Sequence, residues 1–212
     1  MPVIKTISWN SVVVGKWNPA ILSPKGIAKE IFEKADNTPI EVLVQLDAMG
    51  PIKVKIDNLL ISADFDRLVI DCEKSSWDYL ENSRNYCVKA IEALPKTPVS
   101  AAGFNIRYEL SEPKEAFIDL LVLPLDTNIS DNGITIERRE IRRSLEWENG
   151  TINLHVIKDR EPNYKILLNF DKKSDVKDEL TDWLQKKTDN IKAITKIIMC
   201  DVLKTCEKGD II

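Results

Sequence analysis

Along this chain the spacing of apolar residues switches repeatedly between two and about three and a half, and each switch predicts a new element. Val3 to Val14 is rich in β-branched residues and predicts a strand, ended by Gly15 and the turn-forming Trp17-Asn18-Pro19. Ser23-Pro24 predicts a helix start, because the hydroxyl caps free N–H groups and proline has none to lose. Ile27, Ile31 and Phe32 give that helix one apolar face up to Ala35, and Asp36-Asn37-Thr38-Pro39 stops it. Ile40, Val42, Val44 and Leu46 then alternate with polar residues until Gly50-Pro51 turns the chain into Ile52, Val54 and Ile56. With the apolar runs Leu59 to Ala63 and Leu68 to Cys72, this predicts a four-stranded meander. Ser75 and Asp78 resemble a capping box, and Trp77, Leu80, Cys87, Val88, Ile91 and Leu94 form a helical stripe that ends at Pro95.

A second unit begins at Pro98. Ala102, Phe104, Ile106, Tyr108 and Leu110 point one way, while Gly103, Asn105, Arg107 and Glu109 point the other. Ser111-Glu112-Pro113-Lys114 opens a short helix through Phe117 and Leu121, echoing Ser23-Pro24-Lys25. After Asn132-Gly133 a long strand is expected from Ile134 to Trp147, with a bulge near Arg138 to Glu140 where the apolar phase shifts. Asn149-Gly150 predicts a hairpin into Ile152 to Ile157, since both residues of a type I′ turn need positive φ. Tyr164, Ile166, Leu168 and Phe170 form another strand, and Asp175 opens one helix of about 30 residues.

The resulting expectation is an α+β fold. A strand-helix-strands-helix unit is duplicated, residues 1–95 forming the first copy and 96–212 the second, packed as one body. One curved antiparallel sheet would carry the two long helices on one face and leave the other face polar.

Composition narrows the setting. Hydrophobic and charged fractions of 43% and 30% are those of an ordinary globular protein, and the net charge of -4 opposes a surface that is polyanion-binding throughout. No apolar run reaches the roughly 20 residues of a membrane helix, and the N-terminus lacks a signal core, so a cytoplasmic protein without membrane contact is expected. In that reducing setting Cys72, Cys87, Cys200 and Cys206 read as small apolar filler, there being no CxxC spacing.

Candidate chemistry is sparse. His155 is the only histidine and reads as a sheet-surface residue. Asp64, Asp66, Asp71 and Glu73 are the one acidic group able to hold a cation, although turn formation and a helix entry explain them more simply. Arg138, Arg139, Arg142 and Arg143 divide between two strand faces among Glu137, Glu140 and Glu146. There is no Gly-rich phosphate loop, GxSxG elbow or HExxH, so no cofactor and no catalytic residue is expected.

Trp17-Asn18-Pro19-Ala20-Ile21 and Leu94-Pro95-Lys96-Thr97-Pro98-Val99, continuing to Gly103-Phe104-Asn105, resemble landmarks of an uncharacterised family of bacterial and phage-related proteins. That resemblance implies a microbial origin and carries no catalytic residues. The element order is similar to the saddle of TATA-binding-protein-like folds, a likeness of topology that implies no activity. The leading expectation is a non-enzymatic module for a protein partner, anchored through the Trp17 and Asn18 loop or the open sheet. The second is nucleic-acid binding through Lys53, Lys55, Arg107, Arg142 and Lys165 on that face, and the third is a metal-dependent enzyme built on Asp64, Asp66 and Asp71.

Overall fold

A computed structural model describes residues 2–35, 38–44, 52–159 and 161–206. The expected helix stop at Asp36-Asn37, the apolar position Leu46 and the turn at Gly50-Pro51 lie outside the described residues. Among the described residues ten strands form one curved, unclosed antiparallel sheet. In chain order they are β1 (Val3–Thr6), β2 (Asn10–Gly15), β3 (Glu41–Leu43), β4 (Lys53–Ile56), β5 (Leu59–Ala63), β6 (Arg67–Cys72), β7 (Val99–Ser111), β8 (Arg139–Trp147), β9 (Gly150–Lys158) and β10 (Tyr164–Lys173). Their order across the sheet is β3-β4-β5-β6-β2-β7-β10-β9-β8, with β1 beside the far end of β7. The expected four-stranded meander is therefore present, and β2 meets β7 at the centre.

Six helices among the described residues accompany the sheet: α1 (Pro24–Gly26), α2 (Trp77–Ala93), α3 (Glu115–Asp119), α4 (Pro124–Asp131), α5 (Lys177–Leu184) and α6 (Thr188–Lys196). Two of them, α1 and α6, continue into π-helical turns over Ile27–Ile31 and Ile197–Val202. The apolar period of each strand explains the layering. Val13, Ile70, Phe104, Ile106, Val156, Ile166 and Leu168 all turn to one side and are buried. Against that side α2 covers β2 and β6, α5 covers β7 and β10, and the two helices touch. Each large side chain buried this way contributes about 1.5–3 kcal/mol. Ser11 is the polar exception: its hydroxyl meets that of Ser83 at 2.6 Å, and Ser83 in turn donates to the Leu80 carbonyl.

Several boundaries differ from expectation for identifiable reasons. The first strand breaks at residues 7–9, where Ser8 has φ of 39°. There Trp9 turns into the core, and the Arg107 carbonyl accepts from both its indole N–H at 3.0 Å and the Ile7 amide at 2.9 Å. The helix cap is Ser76, which accepts from the Tyr79 amide, because Ser75 is engaged by the Trp9 amide at 3.2 Å. The long strand starts only at Arg139, which Asp126 of α4 holds at 2.7 Å. The phase shift therefore marks a strand beginning and not a bulge.

The hairpin turn is formed by Glu148 and Asn149, with Glu148 at φ 44°, while Gly150 already pairs with Trp147. A Cβ on Gly150 would lie 2.5 Å from the Trp183 ring. Close packing, and not turn geometry, requires that glycine.

Cys200 and Cys206 are disulfide-bonded, correcting the expectation of four free thiols; the turn after α6 brings their Cα atoms to 4.6 Å. Disulfides persist mainly in oxidising compartments, which sets this pair against the cytoplasmic expectation. Cys72 and Cys87 are free and buried, and burial pushes the Cys72 thiol up to about 11. Among the described residues no helix is long and apolar enough to cross a membrane.

The expected 30-residue helix is divided. Its first part, α5, ends at Leu184, and α6 restarts at Thr188. The break is occupied by Arg84 of α2, 2% exposed, whose Nη1 donates to the carbonyls of Leu184 (2.8 Å) and Lys186 (2.7 Å). Its Nη2 donates to Thr188 Oγ1 at 2.7 Å, Thr188 donates to Glu81 at 2.6 Å, and the guanidinium lies 5.3 Å from the Phe104 ring centre. A helix end leaves carbonyls without partners, and a buried cation needs acceptors, so each satisfies the other. Burial nevertheless pushes the Arg84 pKa down to about 10, against the pull of Glu81.

Replacing Arg84 with alanine strands those carbonyls and should lower the unfolding free energy by about 3 kcal/mol in urea titrations. Arg84→Lys should restore only part of that, having no planar fork. A loss below about 1 kcal/mol in Arg84→Ala would show that water replaces the guanidinium without consequence.

Candidate interaction faces

The side of the sheet away from α2 and α5 carries a row of amides. Register places Asp71, Asn10, Asn105, Asn169, Asn153 and Ser144 opposite one another on β6, β2, β7, β10, β9 and β8. Adjacent strands are about 4.8 Å apart, so the row spans roughly 24 Å. Every neighbour is hydrogen-bonded. Ser144 donates to Asn153 (2.8 Å), Asn153 to Asn169 (3.0 Å), Asn169 to Asn105 (3.0 Å), Asn105 to Asn10 (2.8 Å) and Asn10 to Asp71 (2.9 Å). The other Asp71 oxygen accepts from Lys53 at 3.2 Å. Asparagine is depleted in strand interiors, so one asparagine on each of four adjoining strands was a signal available in the sequence.

The five candidate nucleic-acid residues share this open face. Lys53 pairs with Asp71, Lys55 with Glu73 at 2.7 Å, Arg142 with Glu140 at 3.0 Å, and Lys165 with Glu161 at 2.6 Å. The bond to Glu73 holds Lys55 above its ordinary pKa. Arg107 donates to the Ser8 carbonyl, and burial lowers its pKa. The register thus collects the five residues, and each already has an acceptor within the fold.

Trp17 corrects another expectation. It is 2% exposed and its indole donates to the Val13 carbonyl at 3.1 Å, so it is a core residue and not an exposed anchor. Its neighbour Asn18 is exposed and accepts from the Ala20 amide at 3.0 Å, an Asx turn that folds the loop back on the sheet. His155 is half-buried on the open face, 3.4 Å from Glu140. The acidic group is dispersed: Asp64 accepts from the Phe65 amide at the β5–β6 turn, Asp66 pairs with Arg67, and Asp71 closes the amide row. Asp66 and Asp71 are separated by roughly 16 Å of strand. No group of three or more potential metal ligands is found among the described residues.

An open groove of about 730 Å³ adjoins the Ser144 end of the row and includes Glu146, Thr151, Asn153 and Asp171. Burial raises the Asp171 pKa, and Lys173 only partly opposes this.

A different surface lies along the α3–α4 connection. Leu120, Val122, Leu123 and Leu125 are 43–59% exposed, and Ile134 is 61% exposed. Ile134 is drawn back to the end of α4 by its amide bond to the Ile129 carbonyl at 3.2 Å. Phe117 anchors the segment, its ring meeting Tyr164 edge-on at 5.1 Å, while α4 buries no residue. The result is an apolar ledge held at one end. In the sequence only the start of this run, Leu120 and Leu121, reads as part of the short helix after Pro113.

No protein-family model matches this chain, and no curated protein matches it.

Because the Asp171 carboxyl binds its proton more tightly when folded, its contribution to stability is fullest below the unfolded pKa and is lost as pH rises through the folded value. Asp171→Asn should therefore match the parent protein below about pH 3.9 and be more stable at neutral pH, as urea titrations at both values would show. Equal stability at neutral pH would mean that water solvates the carboxylate fully.

Proposed function

We propose that this protein is a binding module that engages a protein partner through the α3–α4 ledge. The carrying observation is the concentration of exposed Leu120, Val122, Leu123, Leu125 and Ile134 within one short segment. Isolated exposed apolar residues are ordinary, but a run of them on a fixed support marks a contact surface. Support comes also from the helix itself, since α4 buries nothing and so Leu125, like Leu123 at its cap, packs no core in this fold. The open face contributes differently: its amides and charges are saturated by one another, which leaves little unspent hydrogen-bonding demand for a ligand.

Affinity purification from cells of the source organism tests the reading, with the parent protein and Leu123→Asp/Leu125→Asp compared as baits. Both leucines are exposed, so the variant should keep the thermal midpoint of the parent. A partner recovered in stoichiometric amount with the parent should be lost with the variant. Recovery of the same proteins by both baits would remove the ledge from consideration.

Nucleic-acid binding is the second reading, favoured by the gathering of Lys53, Lys55, Arg107, Arg142 and Lys165 on one face. Phosphates would have to displace the carboxylates that hold four of them. Under the leading reading the purified protein passes a nucleic-acid column at low salt. Retention that falls steeply with salt and is lost in Lys53→Glu/Lys55→Glu would establish the second reading instead.

A further inference from the structure

We infer that the ledge takes a basic amphipathic segment of its protein partner, and neither a second copy of this chain nor an anionic lipid surface. This rests on the ledge being the protein-binding site. Charge is the discriminating property. Residues 112–137 hold six carboxylates and one lysine, whereas the remainder of the chain is nearly balanced with 29 basic and 28 acidic residues. Asp126 is spent on Arg139. Glu115, Asp119 and Asp131 are exposed and have no ion pair among the described residues.

Helix stability accounts for Glu115, which opens α3 where free N–H groups favour a carboxylate, but not for the other two. Asp119 closes α3 and Asp131 closes α4, the end at which unpaired carbonyls disfavour a carboxylate. Glu115 lies one turn before Asp119 and therefore on the same side of α3. Along the chain the leucines thus lie between two acids, Asp119 and Asp131, whose positions cost stability locally. A partner with an apolar stripe bordered by lysine or arginine satisfies both features at once.

The same charges oppose the other occupants. A two-fold contact between copies would bring each acidic border against its own equivalent. A membrane leaflet rich in anionic lipid would repel it while drawing in the leucines.

The test uses the full chain and two fluorescein-labelled helical peptides with the same leucine stripe, one with lysine on its polar side and one with glutamate. Anisotropy titrations at low salt should show saturable binding of the lysine peptide, at least about tenfold tighter than the glutamate peptide. Glu115→Lys/Asp119→Lys/Asp131→Lys should invert that preference, and Leu123→Asp/Leu125→Asp should weaken both peptides. Equal affinity for the two peptides would overturn the inference, as would a preference that survives the triple reversal. Self-association in sedimentation, or binding to phosphatidylserine vesicles, would overturn it too if abolished by the leucine variant. Should the lysine preference be missing while the leucine-dependent native partner is still captured, the partner's chemistry is wrong and the binding site stands. Absence of both results removes both.

Discussion

Arg84 sits where the helix of the first half crosses the divided helix of the second, and its buried guanidinium takes the place of water for carbonyls on α5 and beyond. Without it, α5 would end on unpaired acceptors inside the molecule, and a continuous helix would instead have to follow the curve of the sheet. With the break in place α5 lies on β7 and β10, and α6 restarts beyond it at Thr188. Phe104 of the central strand meets the same guanidinium, so helix layer and sheet are referred to one charge.

Much of this architecture could be read from residue order. Alternation predicted the meander of β3 to β6, the long β7 and the face that each strand buries, because burial on one side of a sheet enforces a period of two. The misreadings arose where a distant residue decided a local outcome. Arg84 lies a hundred residues from the helix that it interrupts, and its place in an apolar stripe was the only trace. Gly150 looked like half of a turn, but Trp183 claims the space that its side chain would fill. Trp17 looked like a loop anchor, and its indole instead closes on Val13. In each case the local sequence permits more than one conformation, and a tertiary contact selects among them.

The candidate surfaces were legible in opposite ways. The five cations share a face by strand parity and register, while the groups that hold them come from another strand (Asp71), from the same strand (Glu140) or from segments beside the strands (Glu73, Glu161, Ser8), which alternation does not assign. Of the apolar run from 120 to 125, the sequence pattern assigns only Leu120 and Leu121, to the short helix after Pro113, and leaves the rest unassigned. Only the three-dimensional structure shows that α4 has no body of its own to pack on. The two surfaces differ accordingly: the sheet's open face satisfies itself internally, and the α3–α4 segment carries five exposed apolar residues, Leu120, Val122, Leu123, Leu125 and Ile134.

The amide row has a further property. Asp71 can only accept, so Asn10 must present its NH2 to it and its carbonyl to Asn105, and the same requirement passes through Asn169 and Asn153 to Ser144. One carboxylate thereby sets the orientation of four side chains on four strands. None of them can rotate alone without placing like against like on both sides, and a collective reversal would set the Asn10 carbonyl against the Asp71 carboxylate, so the row keeps the polarity of a single long dipole.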